Sequence, residues 1–148
     1  MRPDFDPYIL SLAKTVATRG TCSRRQVGAV LVREGHPRET GYNGAPSGER
    51  HCAHEDYARP EDDPDLAFIN GDWRCIRADH AEANVIRFAK LHWTPLDGSS
   101  VYVTCRPCVA CTGVLIAARV GEIVTWAGQD TAVLEEALRG TETRLRLV

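Results

Sequence analysis

Apolar residues along the chain switch between two spacings, and the switching lays out the elements. Ile9, Leu12, Ala13 and Val16 recur at three and four residues, one face of a helix that Asp6-Pro7 opens and Gly20 closes. QVGAVLV (26–32) is a continuous β-branched run, which predicts a buried strand. ETGYNG (39–44) reads as its hairpin partner across a turn near Gly35. Helical spacing returns at 80–91, with Ala81, Val85, Phe88 and Ala89 as the stripe. SSVYVT (99–104) predicts a strand, 107–119 a helix opening at Pro107, and GEIVTW (121–126) another strand. DTAVLEEALR (130–139) follows as a helix capped by Asp130, and TRLRLV (143–148) as a last strand. A hairpin followed by strands alternating with helices implies an α/β fold, a three-layer α/β/α sandwich around a mixed sheet of about five strands. Residues 45–79 break the pattern with little periodicity and an acidic PEDDPD, a long insertion within one domain spanning 1–148. Loops beyond ~15 residues are uncommon unless functional or disordered.

Composition narrows the classes. A chain of 148 residues with 43% hydrophobic content makes one well-buried domain. The net charge of −2 argues against a polyanion-binding protein, so no nucleic-acid partner is expected. No run approaches the ~18 apolar residues of a membrane span. MRPDFDPYIL has Pro and Asp where a signal peptide carries its apolar segment, so a cytoplasmic location is expected. In that reducing setting, six cysteines favour metal binding or catalysis over disulfides.

VYVTCRPCVACTG (101–113) contains two overlapping C-x-x-C motifs. Cys105 and Cys108 have the spacing of a thiol–disulfide exchange site, whereas Cys108 and Cys111 have that of half a zinc site. A second helix start, DHAEAN, decides between them by presenting His80 and Glu82. Imidazole and thiolate both suit zinc, and three protein ligands leave one position for water, the layout of a catalytic site. Cys108 and Cys111 share one face of a helix's first turn, where the helix dipole favours thiolates. Glu82 alone would be an ordinary first-turn acid; beside a metal it becomes a proton carrier. Cys22, Cys52 and Cys75 do not pair by spacing, and on that ground read as free thiols.

The joint pattern, His80-Ala81-Glu82 with Pro107-Cys108-x-x-Cys111, resembles the cytidine and deoxycytidylate deaminase superfamily. SRRQVGAVLV, GYNGAPSG, CIRADHAEANVI and YVTCRPCVAC carry the likeness, which is strongest to the deoxycytidylate branch. The resemblance implies a small-molecule nucleotide substrate, dCMP, hydrolysed to dUMP and ammonia, with catalytic zinc at His80, Cys108 and Cys111. It further implies a homo-oligomer, with the Ala81 amide available to the pyrimidine O2. Asn43, in GYNG, is a candidate for the sugar, and Arg24 and Arg25 for the phosphate. Some deoxycytidylate deaminases tie this same insertion to the first strand through a second, structural zinc. Cys22 and Cys52 match that arrangement, and Cys75 with His51 or His54 would complete it. Family members often carry a substrate-contacting aromatic residue in the loop after the fourth strand, and WAGQDTAV has no Tyr there. Competing readings are a deaminase of another amino-heterocycle and a thiol–disulfide oxidoreductase using Cys105 and Cys108. A catalytically inert zinc module would leave Glu82 without a purpose.

Overall fold

The computed structural model describes residues 1–148. Helix α1 (Phe5–Ala17) is followed by strands β1 (Gly28–Arg33) and β2 (His36–Tyr42), then a short hairpin, β3 (Leu66–Ile69) and β4 (Asp72–Cys75). The remainder alternates: α2 (Ala81–Leu91), β5 (Ser100–Val103), α3 (Val109–Ala117), β6 (Glu122–Thr125), α4 (Ala132–Leu138) and β7 (Arg144–Leu147). The main sheet has the order β2-β1-β5-β6-β7, antiparallel between its first three strands and parallel thereafter.

Alternation along each central strand sorts the core into two layers. Ala29, Leu31, Val101, Val103 and Ile123 face α2, α3 and α4, packing with Val85, Ile86, Leu115 and Leu134. Val30, Val32, Tyr102 and Val124 point the other way, onto Ile9, Leu10 and Ala13 of α1. Each fully buried aliphatic side chain contributes about 1.5–3 kcal/mol relative to exposure. One helix cannot cover that second face, and its uncovered part is polar. There Arg146 bonds to Asp6 and, at 3.0 Å, to Glu122, while the Tyr102 hydroxyl donates to Asp6 at 2.6 Å.

Two glycines set how closely helices approach the sheet. A Cβ at Gly28 would lie 2.0 Å from the Ala13 carbonyl oxygen, and one at Gly41 would lie 2.5 Å from that of Ala81 and 2.6 Å from the Val85 nitrogen. Both helices therefore rest backbone-on-backbone against β1 and β2.

Four expectations need correction, the first being the cap of α4, which is Thr131 and not Asp130. Helix α1 begins at Phe5 with Asp4 as its cap, so Asp6 is a first-turn acid and Pro7 the third helical residue, where its missing N–H had no acceptor anyway. Helix α3 begins at Val109, with Cys108 at the cap. The insertion holds regular structure, the β3–β4 hairpin, turned by Asn70 and Gly71 at φ 52° and 79°. That left-handed pair is the tightest hairpin turn, and Asn-Gly is its strongest sequence signal.

Candidate active site

The insertion returns to the sheet through a single bridge, the Gly44 amide to the Asp79 carbonyl at 3.0 Å and the Asp79 amide to the Gly44 carbonyl at 2.8 Å. This starts α2 next to the end of β2. His80 is the N-cap residue of α2 and Cys108 that of α3. Cys108 Sγ accepts from the Cys111 amide at 3.4 Å, filling the cap that Ser or Asp usually supplies. The His80 Nδ1 then lies 3.5 Å from Cys108 Sγ and 3.4 Å from Cys111 Sγ. Two sulfurs and one imidazole nitrogen converge at two helix N-termini, and the donor set fits a zinc ion. The contact with Cys111 pulls the Cys108 thiol down to about 3, while Cys111 itself is pushed up. Contact with Cys108 also raises His80, opposed by burial and by the nearby Arg74 cation.

Glu82, the second residue of α2, is 3% exposed, and burial raises its carboxyl above the usual range. Glu82 and His80 line a cavity of about 90 Å³. Ala81 is fully buried there, and as the first helical residue its N–H has no acceptor within the helix. Asn43 also lines the cavity, but its Oδ1 accepts from the Val27 amide and its Nδ2 donates to the Arg25 carbonyl, each at 2.7 Å. It braces the 25–27 segment and keeps one amide hydrogen for a ligand. Arg24 and Arg25 both line the cavity, and Arg24 donates to the Trp73 carbonyl. Cys105, half-buried on the same wall, is pushed up to about 11 by burial, which makes it a poor nucleophile. Trp73 lines the cavity and Trp93 is 91% exposed, so neither is a core residue.

Cys22, Cys52, His54 and Cys75 form a second convergence, their ligand atoms all within 4.8 Å of one another. Of the two histidines in this region, His51 is exposed and His54 joins the cluster. His54 Nδ1 is 2.6 Å from Asp63 Oδ2, and its Nε2 is buried without a hydrogen-bond partner. Burial pushes Cys52 up to about 12 and raises Cys75; burial opposes ionisation of Cys22 too, but the Arg25 and Arg24 amides together with Cys52 and His54 leave it lowered. Sequence spacing missed Asp63, Trp73 and Arg74. The Asn70-Gly71 pair was the signal that could have placed the last two on a hairpin.

Residues 3–127 match the cytidine and deoxycytidylate deaminase zinc-binding region. The chain is 38% identical over 124 residues to the deoxycytidylate deaminase of Mycobacterium phage D29, a match covering 83% of this chain and 94% of that protein. It is 32% identical over 127 residues to the deoxycytidylate deaminase of Saccharomyces cerevisiae, covering 84% of this chain but 38% of the yeast protein. Its fold is similar to that of the dCMP deaminase of cyanophage S-TIM5, solved in complex with dCMP and dUMP, with TM-score 0.72, 24% identity and 99% of each chain covered. The chain belongs to the zinc-binding cytidine and deoxycytidylate deaminase family.

Proposed function

We infer that this protein is a zinc-dependent deaminase that converts dCMP and water to dUMP and ammonia. The observation that carries the reading is Glu82, a buried carboxyl with a raised pKa, two residues from His80 on the wall of one cavity. Zinc held by His80, Cys108 and Cys111 would supply an acidified water as the nucleophile. The rest falls to the chain's own groups. Glu82 accepts a proton as water attacks the pyrimidine C4 and passes it to N3; it then takes the proton of the new C4 hydroxyl and gives it to the amine, which leaves as ammonia as the C4 carbonyl forms. A carboxyl held above its ordinary range exchanges protons more readily near neutrality. The free Ala81 amide holds O2, and the spare Asn43 hydrogen is available to the sugar. The names of the relatives support the nucleotide as substrate.

Ammonia release from dCMP, deoxycytidine and cytosine tests this. The expected kcat/KM for dCMP exceeds that for deoxycytidine at least ~10-fold, or about 1.4 kcal/mol of discrimination. Equal turnover of nucleoside and nucleotide would overturn the substrate assignment and leave the deamination chemistry standing.

The reading extends to a second zinc at Cys22, Cys52, His54 and Cys75. Four protein ligands close a tetrahedral site, as in structural centres. The orphaned His54 Nε2 and the Asp63 carboxylate behind its ring fit a ligating imidazole and its outer partner. Elemental analysis should give close to two zinc per chain; a value of one would return these cysteines to free thiols. Self-association is part of the same proposal. Leu91 and Trp93, 64% and 91% exposed at the end of α2, are apolar surface that a second copy would cover, and sedimentation would reveal it.

A further inference from the structure

Most arginines of the protein are spoken for. Arg50, Arg59, Arg77, Arg119, Arg139 and Arg146 face carboxylates. Arg24 donates to the Trp73 carbonyl, and Arg106 to that of Asp130 at 2.6 Å. Arg25 and Arg74 stand apart. Both line the small cavity and also a groove of about 1100 Å³ beside it, and neither takes part in an ion pair. Arg74 is half-buried. A cation drawn partly out of water without a carboxylate is costly, and an incoming anion offsets that cost. Asp72 and Asp130 also line the groove, but neither is paired with these two arginines.

The cavity at Glu82, about 90 Å³, is far below the ~300–1,000 Å³ of pockets that enclose whole ligands. A base placed there must leave its sugar and phosphate toward the groove, where Arg25 and Arg74 stand. The hairpin holds Arg74 in place from several sides. Phe68 and Trp73 are paired across it, edge to face at 5.4 Å, and the Asn70-Gly71 turn fixes its register. Arg24 clasps it to the segment before β1, and Cys75, the next residue, belongs to the second ligand cluster. A side chain on such a strand is better preorganised than one on a free loop.

We propose that the β3–β4 hairpin is the phosphate reader of the active site, with Arg74 and Arg25 as the two cations that bind the 5′-phosphate. This rests on the deaminase reading above, and assigns specificity for the nucleotide to a residue of the insertion. Arg24 is then a positioning residue that holds the hairpin.

Two measurements on Arg74→Gln, with Arg25→Gln in parallel, test it. One is kcat/KM for dCMP against deoxycytidine; the other is calorimetric affinity for dUMP against deoxyuridine, which needs no turnover. Each variant should lose at least ~10-fold on dCMP and dUMP while deoxycytidine and deoxyuridine stay within about twofold, a change in the ratio that mere structural damage would not produce. Arg74→Lys, which keeps the charge but not the fork, should recover part of the loss. Nucleotide and nucleoside falling together in both Arg74 variants, or neither falling, would overturn the proposal. If the wild type deaminates no cytosine compound the deaminase reading fails, and the dUMP-to-deoxyuridine affinity ratio still decides the role of Arg74.

Discussion

The two cysteine–histidine clusters bring similar atoms equally close, yet the chain builds them by opposite means. In the first, His80 and Cys108 are N-caps of α2 and α3, helices seated on the sheet, so the site inherits its geometry from the core. In the second, Cys22 and Cys52 come from irregular chain, His54 from a single 3-10 turn (His54–Asp56) and Cys75 from the end of a two-stranded hairpin. Nothing there holds the ligands together as the sheet does for the first. The first offers three side chains that could hold a metal and a buried carboxyl beside them; the second offers four, with its histidine braced by Asp63. A site mounted on a scaffold leaves a position open for chemistry, whereas a site made of loops uses its ligands to organise the loops. The two share a wall, since Cys22 and Cys75 line the same cavity as His80 and Glu82.

This contrast breaks most decisively at Glu82. Glu82→Gln should lower kcat by at least the ~10²–10⁴-fold typical of one general acid–base group, because it serves more than one proton transfer. Zinc content, measured on the same sample, should not change. Activity within about tenfold of wild type would place the proton carrier elsewhere.

Cys52→Ser should do the reverse. Zinc should fall by about one per chain and residues 45–79 should become quicker to proteolyse, with the loss of activity far smaller than for Glu82→Gln. If metal content and cleavage rate both stay at wild-type values, the second cluster holds no metal. A finer cut is Asp63→Asn, which leaves all four ligands and removes the charge behind His54. Chelator competition should show the second zinc weakened ~10–100-fold, with the first unaffected.

The smallest effect lies outside both clusters, on the polar side of the sheet. Arg146 holds the carboxyls of Asp6 and Glu122 below their ordinary values of 3.8 and 4.5. Folded-state pKa values below the unfolded ones mean that this stabilisation is complete above those values and is lost as pH falls through the lowered ones. Arg146→Met should therefore flatten the acid limb of the Tm–pH curve. Partial exposure keeps the effect to about 1 kcal/mol, or ~4 °C, with zinc content unmoved. A Tm difference that persists at low pH would point to lost packing in place of lost charge.

The first cluster was legible because its chemistry repeats at helical spacing: Cys108 and Cys111 are three residues apart, and His80 and Glu82 flank one helix start. The strands were legible from β-branched runs whose alternation divides Leu31 from Val32 and Val101 from Tyr102. The second cluster was legible only through the family resemblance, because its geometry arises from chain closure, and no local period tells His54 from His51. Arg24 and Arg25 look equivalent as neighbours in sequence. They part only in space: both line the cavity, but Arg24 is tied to the Trp73 carbonyl while Arg25 also reaches the adjoining groove. Arg74 gave no sign by itself, since a single arginine in a four-residue strand carries no pattern.

Gly41 works as a tolerance gauge for the catalytic machinery. The gap above it admits one hydrogen atom and no methyl group, and the backbone that closes it runs from Ala81 to Val85, the same turn that carries Glu82. A side chain added on β2 would lift that turn off the sheet and shift Glu82, the proposed proton carrier, relative to Cys108 and Cys111, which are mounted on a different helix. The two halves of the reaction centre are thus calibrated against each other through a residue with no chemistry of its own. Laboratory evolution of this enzyme should find position 41 among its least forgiving.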